Sequence, residues 1–277
     1  MCEGPPDSLR SVTLADVIEK LEAAYPTERA ESWDAVGLVA GDPDQRVRKV
    51  LFAVDPVAVV AEEAIEWGAD LIVTHHPLYL RGTTSVAATT PKGRLIHTLI
   101  RHGIALYTAH TNADVANPGV SDALARAVGL TGDLVPLRPL PDDPWRGLGR
   151  IGEFDRSPTL GEFAEQAAAG LPATAWGIRV AGELSRPVRR VAVSGGSGDS
   201  LLSAARAAGV DVFLTADLRH HPASEFMEAG GPALIDAAHW ATEWPWLDSA
   251  ASILAASGVT VETRVSATVT DAWTRGY

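Results

Sequence analysis

The sequence predicts an α/β fold built from two intertwined βαβ-type repeats with mostly parallel sheets. Short apolar segments of strand length alternate with segments of helix length over residues 48–130, and the same alternation returns from residue 189 onward. Strands separated by helices form right-handed crossovers and therefore parallel sheets. The residues that follow parallel strands meet at one edge of the sheet, so we expect functional side chains at the C-terminal strand ends.

A second observation supports the two repeats, because the two halves of the chain align with each other. Residues 69–75 (ADLIVTH) match residues 210–216 (VDVFLTA), and residues 107–110 (YTAH) match residues 236–239 (DAAH). Both matches combine an apolar strand with the residues just beyond it. Two related units can therefore bring two sets of strand ends to one cleft.

Composition excludes several classes of function. The net charge of −12 gives no electrostatic reason to expect nucleic acid or an anionic membrane as a partner, because both attract clustered Lys and Arg. The single cysteine, Cys2, excludes a disulfide framework and a thiolate metal site. No apolar run approaches the roughly 20 residues of a membrane span, and the N-terminus lacks an apolar signal segment. We therefore expect a cytoplasmic protein.

The first half begins with a loose segment, residues 1–10, and a capped amphipathic helix. Thr13 and Asp16 have capping-box spacing, and Pro26 ends that helix. The pattern then predicts strand 50–54, helix 57–67, strand 71–74, helix 92–101, strand 104–108 and helix 120–128. Gly129 ends the last of these helices.

The second half opens on a proline-rich stretch after residue 130, which we expect to be a linker or an edge segment. The pattern then predicts strand 148–154, helix 159–169, strand 176–180, strand 191–193, helix 201–208, strand 210–214, a helix after His221, strand 233–235 and a C-terminal helix and strand. We expect a discontinuous metal-site domain, 1–130 plus 231–277, with a second α/β domain, 131–230, inserted between its parts.

Histidines and carboxylates cluster at the predicted strand ends. Six of the eight histidines lie at or just past such an end. Adjacent histidines His75 and His76 follow one strand, and His110 and Asp114 follow the next. A histidine here can instead cap a helix or stay solvated, but clustering of this kind favours a metal site. Imidazole and carboxylate ligands without cysteine suit Zn, Mn, Fe, Co or Ni.

The segment 239–245 (HWATEWP) presents a further His and Glu. A spacing of four would place His239 and Glu243 on one helical face, but Pro245 is tolerated only in a first turn. We therefore expect Thr242 to be the N-cap of a helix that begins at Glu243, with His239 on the strand end. Glu243 then serves either the helix dipole or a metal.

The glycine-rich segment 194–199 (SGGSGD) lies between a predicted strand and a predicted helix. Its backbone N–H groups could bind a phosphate. The segment lacks the Gly-Lys-Ser/Thr of a P-loop, however, and a tight turn is the alternative.

Five motifs together resemble the GTP cyclohydrolase 1 type 2 homolog family, also called NGG-interacting-factor-like proteins. They are SWDAVGL (32–38), THHP (74–77), AHTNAD (109–114), TADLRHH (215–221) and DAAHWATE (236–243). The resemblance implies two intertwined α/β repeats, a homohexameric toroid and two divalent metal ions per subunit. Carried over from the family, the metal ligands are His75, His76, Asp114, His239 and Glu243, with Glu243 as the bridge. Ala216 and Ala238 replace the glycines that are usual in the family.

The resemblance implies a metal-dependent hydrolase that acts on a nucleotide or related small molecule. In that reaction water acidified by two cations attacks an electrophilic carbon, and a histidine such as His110 or His221 transfers the proton. Two alternatives stay open. The substrate is a phosphoester in one, and in the other the metal stabilises a non-catalytic regulatory or scaffold hexamer.

Overall fold

The computed structural model describes residues 11–277, so the predicted loose segment 1–10, with Cys2, lies outside the described residues. The helices are α1 Leu14–Ala24, α2 Ala58–Trp67, α3 Pro91–Arg101, α4 Thr111–Val115, α5 Val120–Ala127, α6 Leu160–Gly170, α7 Leu202–Ala207, α8 His220–Glu228, α9 His239–Glu243 and α10 Pro245–Ala256. The strands are β1 Gly37–Ala40, β2 Lys49–Ala53, β3 Leu71–Thr74, β4 Ala105–Thr108, β5 Val135–Leu140, β6 Asp143–Glu153, β7 Ile178–Ala181, β8 Arg190–Ser197, β9 Val212–Ala216, β10 Ala233–Ala237 and β11 Glu262–Val265.

The chain divides into two compact units. Unit 1 comprises the described part of Met1–His110 together with Ala250–Thr268, and unit 2 comprises Thr111–Ser249 with Val269–Tyr277. These bounds differ from the predicted domains 1–130 plus 231–277 and 131–230. The difference arises because α5 packs on β8, and because β10 pairs with β9 and β7, which places both α5 and β10 in unit 2.

Unit 1 contains a five-stranded sheet in the order β1-β4-β3-β2-β11. The strands β11, β2, β3 and β4 are parallel, and β1 lies antiparallel at the edge. Every residue of β3 and β4 is buried, which explains their uninterrupted apolar sequences. The helices α2 and α3 cover one face through a core that includes Val60, Ala64 and Leu99.

Unit 2 contains a six-stranded mixed sheet in the order β5-β6-β8-β9-β10-β7. The three central strands β8, β9 and β10 are parallel, whereas β5, β6 and β7 pair antiparallel. One core contains residues of α5 and α6, and another contains residues of α7 and α8. The predicted α/β class, with parallel central strands in two sheets, is confirmed.

The two repeats share a hydrogen-bonding pattern as well as an element order. In unit 1 the Asp70 carboxylate accepts the backbone N–H of Arg48 (2.7 Å) and of Lys49 (3.1 Å). In unit 2 the Asp211 carboxylate accepts the corresponding pair, Arg189 N–H and Arg190 N–H, both at 2.8 Å. Each aspartate therefore fastens the start of one strand to the start of the next.

The proline-rich stretch after residue 130 forms a strand rather than a linker. Pro136 and Pro139 lie in β5, which is the edge strand of its sheet and pairs with β6 alone. An edge strand leaves half of its N–H groups outside the ladder, so proline is tolerated there. The alternative prediction of an edge segment is therefore the correct one.

No helix among residues 11–277 combines the length and the apolar character that a membrane span requires.

Candidate metal centre

Three histidines of unit 1 converge beyond the ends of β3 and β4. His75 and His76 follow β3, and His110 follows the neighbouring parallel strand β4. Their ring centroids lie 5.1 to 5.7 Å apart. One ring nitrogen of each lies within 4.8 Å of one ring nitrogen of the other two, which is close enough for a shared metal ion.

Each imidazole of this cluster is held through its Nδ1 atom. His75 Nδ1 lies 3.0 Å from the carbonyl oxygen of Ala109, His76 Nδ1 lies 2.7 Å from Asp55 Oδ1, and His110 Nδ1 lies 2.9 Å from Asp34 Oδ1. These partners are oxygen acceptors, so they favour the tautomer with its proton on Nδ1. Nε2 then carries the free lone pair and is the atom available to a metal. Metal-binding histidines in proteins commonly have their other ring nitrogen bonded to an oxygen acceptor in this way.

The two carboxylates that hold these rings were not predicted as functional residues from spacing. Asp55 lies just beyond β2, so its position at a third parallel strand end is a signal that could have identified it. Asp34 reaches His110 from a loop 76 residues earlier in the chain. Its side chain is fully buried, and the neighbouring Trp33 ring contacts the His110 ring edge-on at 6.1 Å.

Unit 2 presents a second arrangement, in which His239 and Glu243 lie on one face of the short helix α9. His239 Nε2 lies 2.9 Å from Glu243 Oε1, and His239 Nδ1 lies 2.6 Å from Asp217 Oδ2. The predicted helix start at Glu243 is wrong, because α9 already begins at His239 with Ala238 as its N-cap. Pro245 is accommodated because it begins the separate helix α10.

The charge of Glu243 raises the pKa of His239 to about 11, and Asp217 adds to this effect against the opposing effect of burial. In the absence of metal this imidazole is therefore protonated at neutral pH. A metal ion that uses its Nε2 atom must displace that proton, so binding at His239 releases a proton.

The glycine-rich segment 194–199 is largely a strand and not a turn. Its first four residues continue strand β8, and the N–H of Gly196 donates to Thr242 Oγ1 at 2.9 Å. Gly196 has a φ of +64°, and a Cβ built there would lie 2.5 Å from Glu243 Oε1 and 3.2 Å from His239 Nε2. Its lack of a side chain allows α9 to approach the strand.

The remaining predicted residues lie in unit 2. Asp114 is half-buried in the short helix α4. His221 is exposed in the first turn of α8, where its ring contacts that of His220. Among the described residues, the compact clusters of ligating atoms include neither Asp114 nor His221.

The donor set fits a divalent transition metal. The ligating atoms in these clusters are imidazole nitrogens and carboxylate oxygens, which suit Zn, Mn, Fe, Co and Ni. Three of the imidazoles are supported by carboxylates, namely Asp34, Asp55 and Asp217. Support of this kind fixes the ring orientation and raises the basicity of the ligand atom.

Comparison with known proteins shows the family of the chain. The model of the Duf34/NIF3 (NGG1p interacting factor 3) family matches residues 12–272. The chain belongs to the NIF3 family. The resemblance inferred from the five sequence motifs is thus confirmed.

Relatives in this family are named GTP cyclohydrolase 1 type 2 homolog. A Streptomyces coelicolor protein of that name is 61% identical over 267 residues, which cover 94% of this chain and 93% of the relative. A Mycobacterium tuberculosis protein of the same name is 39% identical, with 95% and 97% covered. That alignment runs over 370 positions, whereas this chain has 277 residues, so the mycobacterial relative contains a long additional segment.

Solved structures of the family share the fold. A Bacillus cereus protein related to NIF3 superposes with a TM-score of 0.85 at 26% identity, covering 95% of this chain and 99% of the other. The Staphylococcus aureus protein SA1388 gives a TM-score of 0.83 at 30% identity, with 95% and 98% covered.

Proposed function

We propose that this NIF3-family protein is a metal-dependent hydrolase that acts on a nucleotide or a related small molecule. The observation that supports this most is the cluster of His75, His76 and His110, whose Nδ1 atoms are all held by oxygen acceptors. Three ring nitrogens, one from each histidine, lie within 4.8 Å of one another. A purely structural set of histidines has no need for three matched tautomers.

The proposed ligands are those that the family resemblance implies. They are His75, His76, Asp114, His239 and Glu243, and they bind two divalent metal ions per subunit. The support is that His75 and His76 lie in the unit 1 cluster, while His239 and Glu243 lie 2.9 Å apart on one helical face. When bound, the metal supplies Lewis acidity that lowers the pKa of water and polarises an electrophile.

In the proposed reaction a histidine of this chain transfers the proton. His110 is the better-supported proton-transfer residue, because Asp34 holds its Nδ1 atom and its ring lies 5.1 Å from that of His75. A buried carboxylate behind an imidazole stabilises the charge that the ring acquires when it accepts a proton. His221 is exposed on α8, and its proposed role rests on the family motif alone.

The substrate class rests on the name of the relatives, which refers to GTP ring opening. The proposed partner is a small molecule, and a nucleotide is the first candidate. The proposed assembly, which the family resemblance implies, is a cytoplasmic homohexamer. The net charge of −12 supports no role in nucleic-acid binding.

The test is a screen of the metal-loaded protein against GTP, other nucleotides and phosphodiesters. Turnover that requires metal and disappears in Glu243→Ala supports the hydrolase, and the substrate that reacts separates ring hydrolysis from phosphoester hydrolysis. His102→Ala is the matched control, since that exposed histidine is the C-cap of α3 and its Nδ1 lies 2.8 Å from the carbonyl oxygen of Thr98, one turn earlier. Metal binding without any turnover would contradict the hydrolase and favour the scaffold alternative.

A further inference from the structure

The loop after β9 contains an unusual backbone conformation at Asp217. Among the residues that the structure describes, Asp217 is the only non-glycine residue with a positive φ, which is 55°. This left-handed region disfavours residues with a Cβ, although Asp and Asn enter it more readily than most. Such a conformation persists only where the surroundings impose it, and it is concentrated at functional sites.

Neighbouring residues fix this conformation. The N–H of Leu218, the next residue, donates to Asp236 Oδ1 at 2.9 Å. Asp236 is itself buried, and its other oxygen accepts from Trp176 Nε1 at 3.1 Å and from the Arg179 guanidinium. One residue further on, the Arg219 guanidinium pairs with the carboxylate of Asp199. The loop is therefore anchored immediately after the strained residue.

This backbone conformation directs the Asp217 carboxylate toward the His239 ring. Its Oδ2 atom lies 2.6 Å from His239 Nδ1, although the Asp217 side chain is 54% exposed. On the opposite side of the same ring, Nε2 lies 2.9 Å from Glu243 Oε1. An exposed carboxylate on a mobile loop would not select one ring orientation, whereas one on an anchored loop does.

We propose that Asp217 is a positioning residue for metal binding at His239. It holds the proton of the neutral ring on Nδ1, directs Nε2 toward the metal, and adds a negative charge behind the ligand. This inference rests on the proposed metal-binding function and assigns a role to one more residue of the same site.

Three substitutions at this position separate the carboxylate from the backbone. Asp217→Gly removes the carboxylate and suits the left-handed backbone, because glycine has no Cβ. Asp217→Ala removes the carboxylate and keeps the strain. Asp217→Asn tolerates the backbone conformation and retains an uncharged acceptor. The measurements are the thermal unfolding temperature of the metal-free protein and the affinity for Zn²⁺ and Co²⁺ by competition with a chromogenic chelator.

We expect Asp217→Gly and Asp217→Ala to weaken metal affinity equally, about 10- to 100-fold. Both metal-free variants lose the pairing of Asp217 with His239, and only the alanine variant keeps the strain, so Asp217→Gly should unfold at a higher temperature than Asp217→Ala. Asp217→Asn should show the smallest loss of affinity. Wild-type affinity in both Asp217→Gly and Asp217→Ala would overturn the inference while leaving the metal site intact.

Two other outcomes would also overturn it. Wild-type affinity in Asp217→Gly together with weakened affinity in Asp217→Ala would show that only the backbone conformation matters and that the residue is structural. A wild-type protein that binds neither Zn²⁺ nor Co²⁺ would overturn the proposed metal-binding function itself, and is recognised before any variant is measured.

Discussion

The two units share one βαβαβ framework but place different chemistry at equivalent positions. Register matches Val50 of β2 with Leu71 of β3, and Val191 of β8 with Val212 of β9. Val50 and Val191 are thus equivalent positions. Five residues beyond Val50 unit 1 has Asp55, and five residues beyond Val191 unit 2 has Gly196. Asp55 supports His76, whereas Gly196 leaves the space into which Glu243 fits.

The next strand ends differ in a complementary way. Beyond the aligned strands β3 and β9, equivalent positions hold His76 in unit 1 and Asp217 in unit 2. An imidazole in unit 1 is thus held by a carboxylate, while the carboxylate in unit 2 holds the imidazole of His239. The shared framework therefore determines where the strand ends meet. The residue at each end, His, Asp or Gly, determines whether that position offers a metal ligand, supports a ligand or leaves space for one.

The largest expected effect is that of Gly196→Ala on metal binding. The new Cβ would lie 2.5 Å from Glu243 Oε1, so the carboxylate must move away from His239. We expect His239 and Glu243 to lose their metal, with affinity reduced more than about 100-fold, because the substitution displaces the ligand Glu243 and changes its position relative to His239. Elemental analysis and chelator competition measure this loss.

Gly209→Ala is the matched control for that substitution. Gly209 has nearly the same φ, +63°, but a Cβ there meets no atom within 4 Å. Both variants should lose about 1 to 2 kcal/mol of folding free energy from left-handed strain. Equal metal affinity in the two variants would contradict the role assigned to Gly196.

A second effect, of about 10- to 100-fold in metal affinity, is expected for Asp55→Asn, which keeps the shape of the side chain but removes the charge that fixes the tautomer of the ligand His76. Asp34→Asn makes the same change behind His110, the proposed proton-transfer residue, so it should lower turnover and leave metal affinity unchanged. Asp155→Asn, at an exposed position, serves as the control. If Asp55→Asn binds metal as the control does, this carboxylate does not support a ligand, and the comparison with Asp217 fails.

The smallest effect concerns the framework itself. Asp70→Asn and Asp211→Asn each exchange a charged acceptor of two backbone N–H groups for a neutral one. We expect each to lower the free energy of unfolding by about 1 kcal/mol, without changing metal affinity. Urea denaturation measures the free energy of unfolding of each variant. Clearly unequal losses in the two variants would show that the two aspartates do not stabilise their repeats equally.

The sequence predicted the parts of this structure that follow from regular strand endings. The apolar strands β3 and β4 end directly before His75, His76 and His110, and parallel neighbours must bring such residues together. The alignment of residues 69–75 with 210–216 likewise identified the repeat. These predictions depend on local pattern and on the geometry of parallel sheets.

Other features depend on contacts that local pattern does not contain. Pro245 suggested a later helix start, because sequence alone does not show that two helices, α9 and α10, meet there. Asp34 reaches His110 across 76 residues of sequence. The glycines after Ser194 suggested a turn, whereas Gly196 is required by the approach of a helix from another part of unit 2.

Elemental analysis of the purified protein, prepared without chelator or nickel resin, decides whether the metal centre exists. We expect about two atoms of a divalent transition metal per protomer, with a sharp fall in Glu243→Ala and none in His102→Ala. A value near zero that persists after incubation with Zn, Mn, Fe and Co would contradict the metal centre and the hydrolase proposed from it.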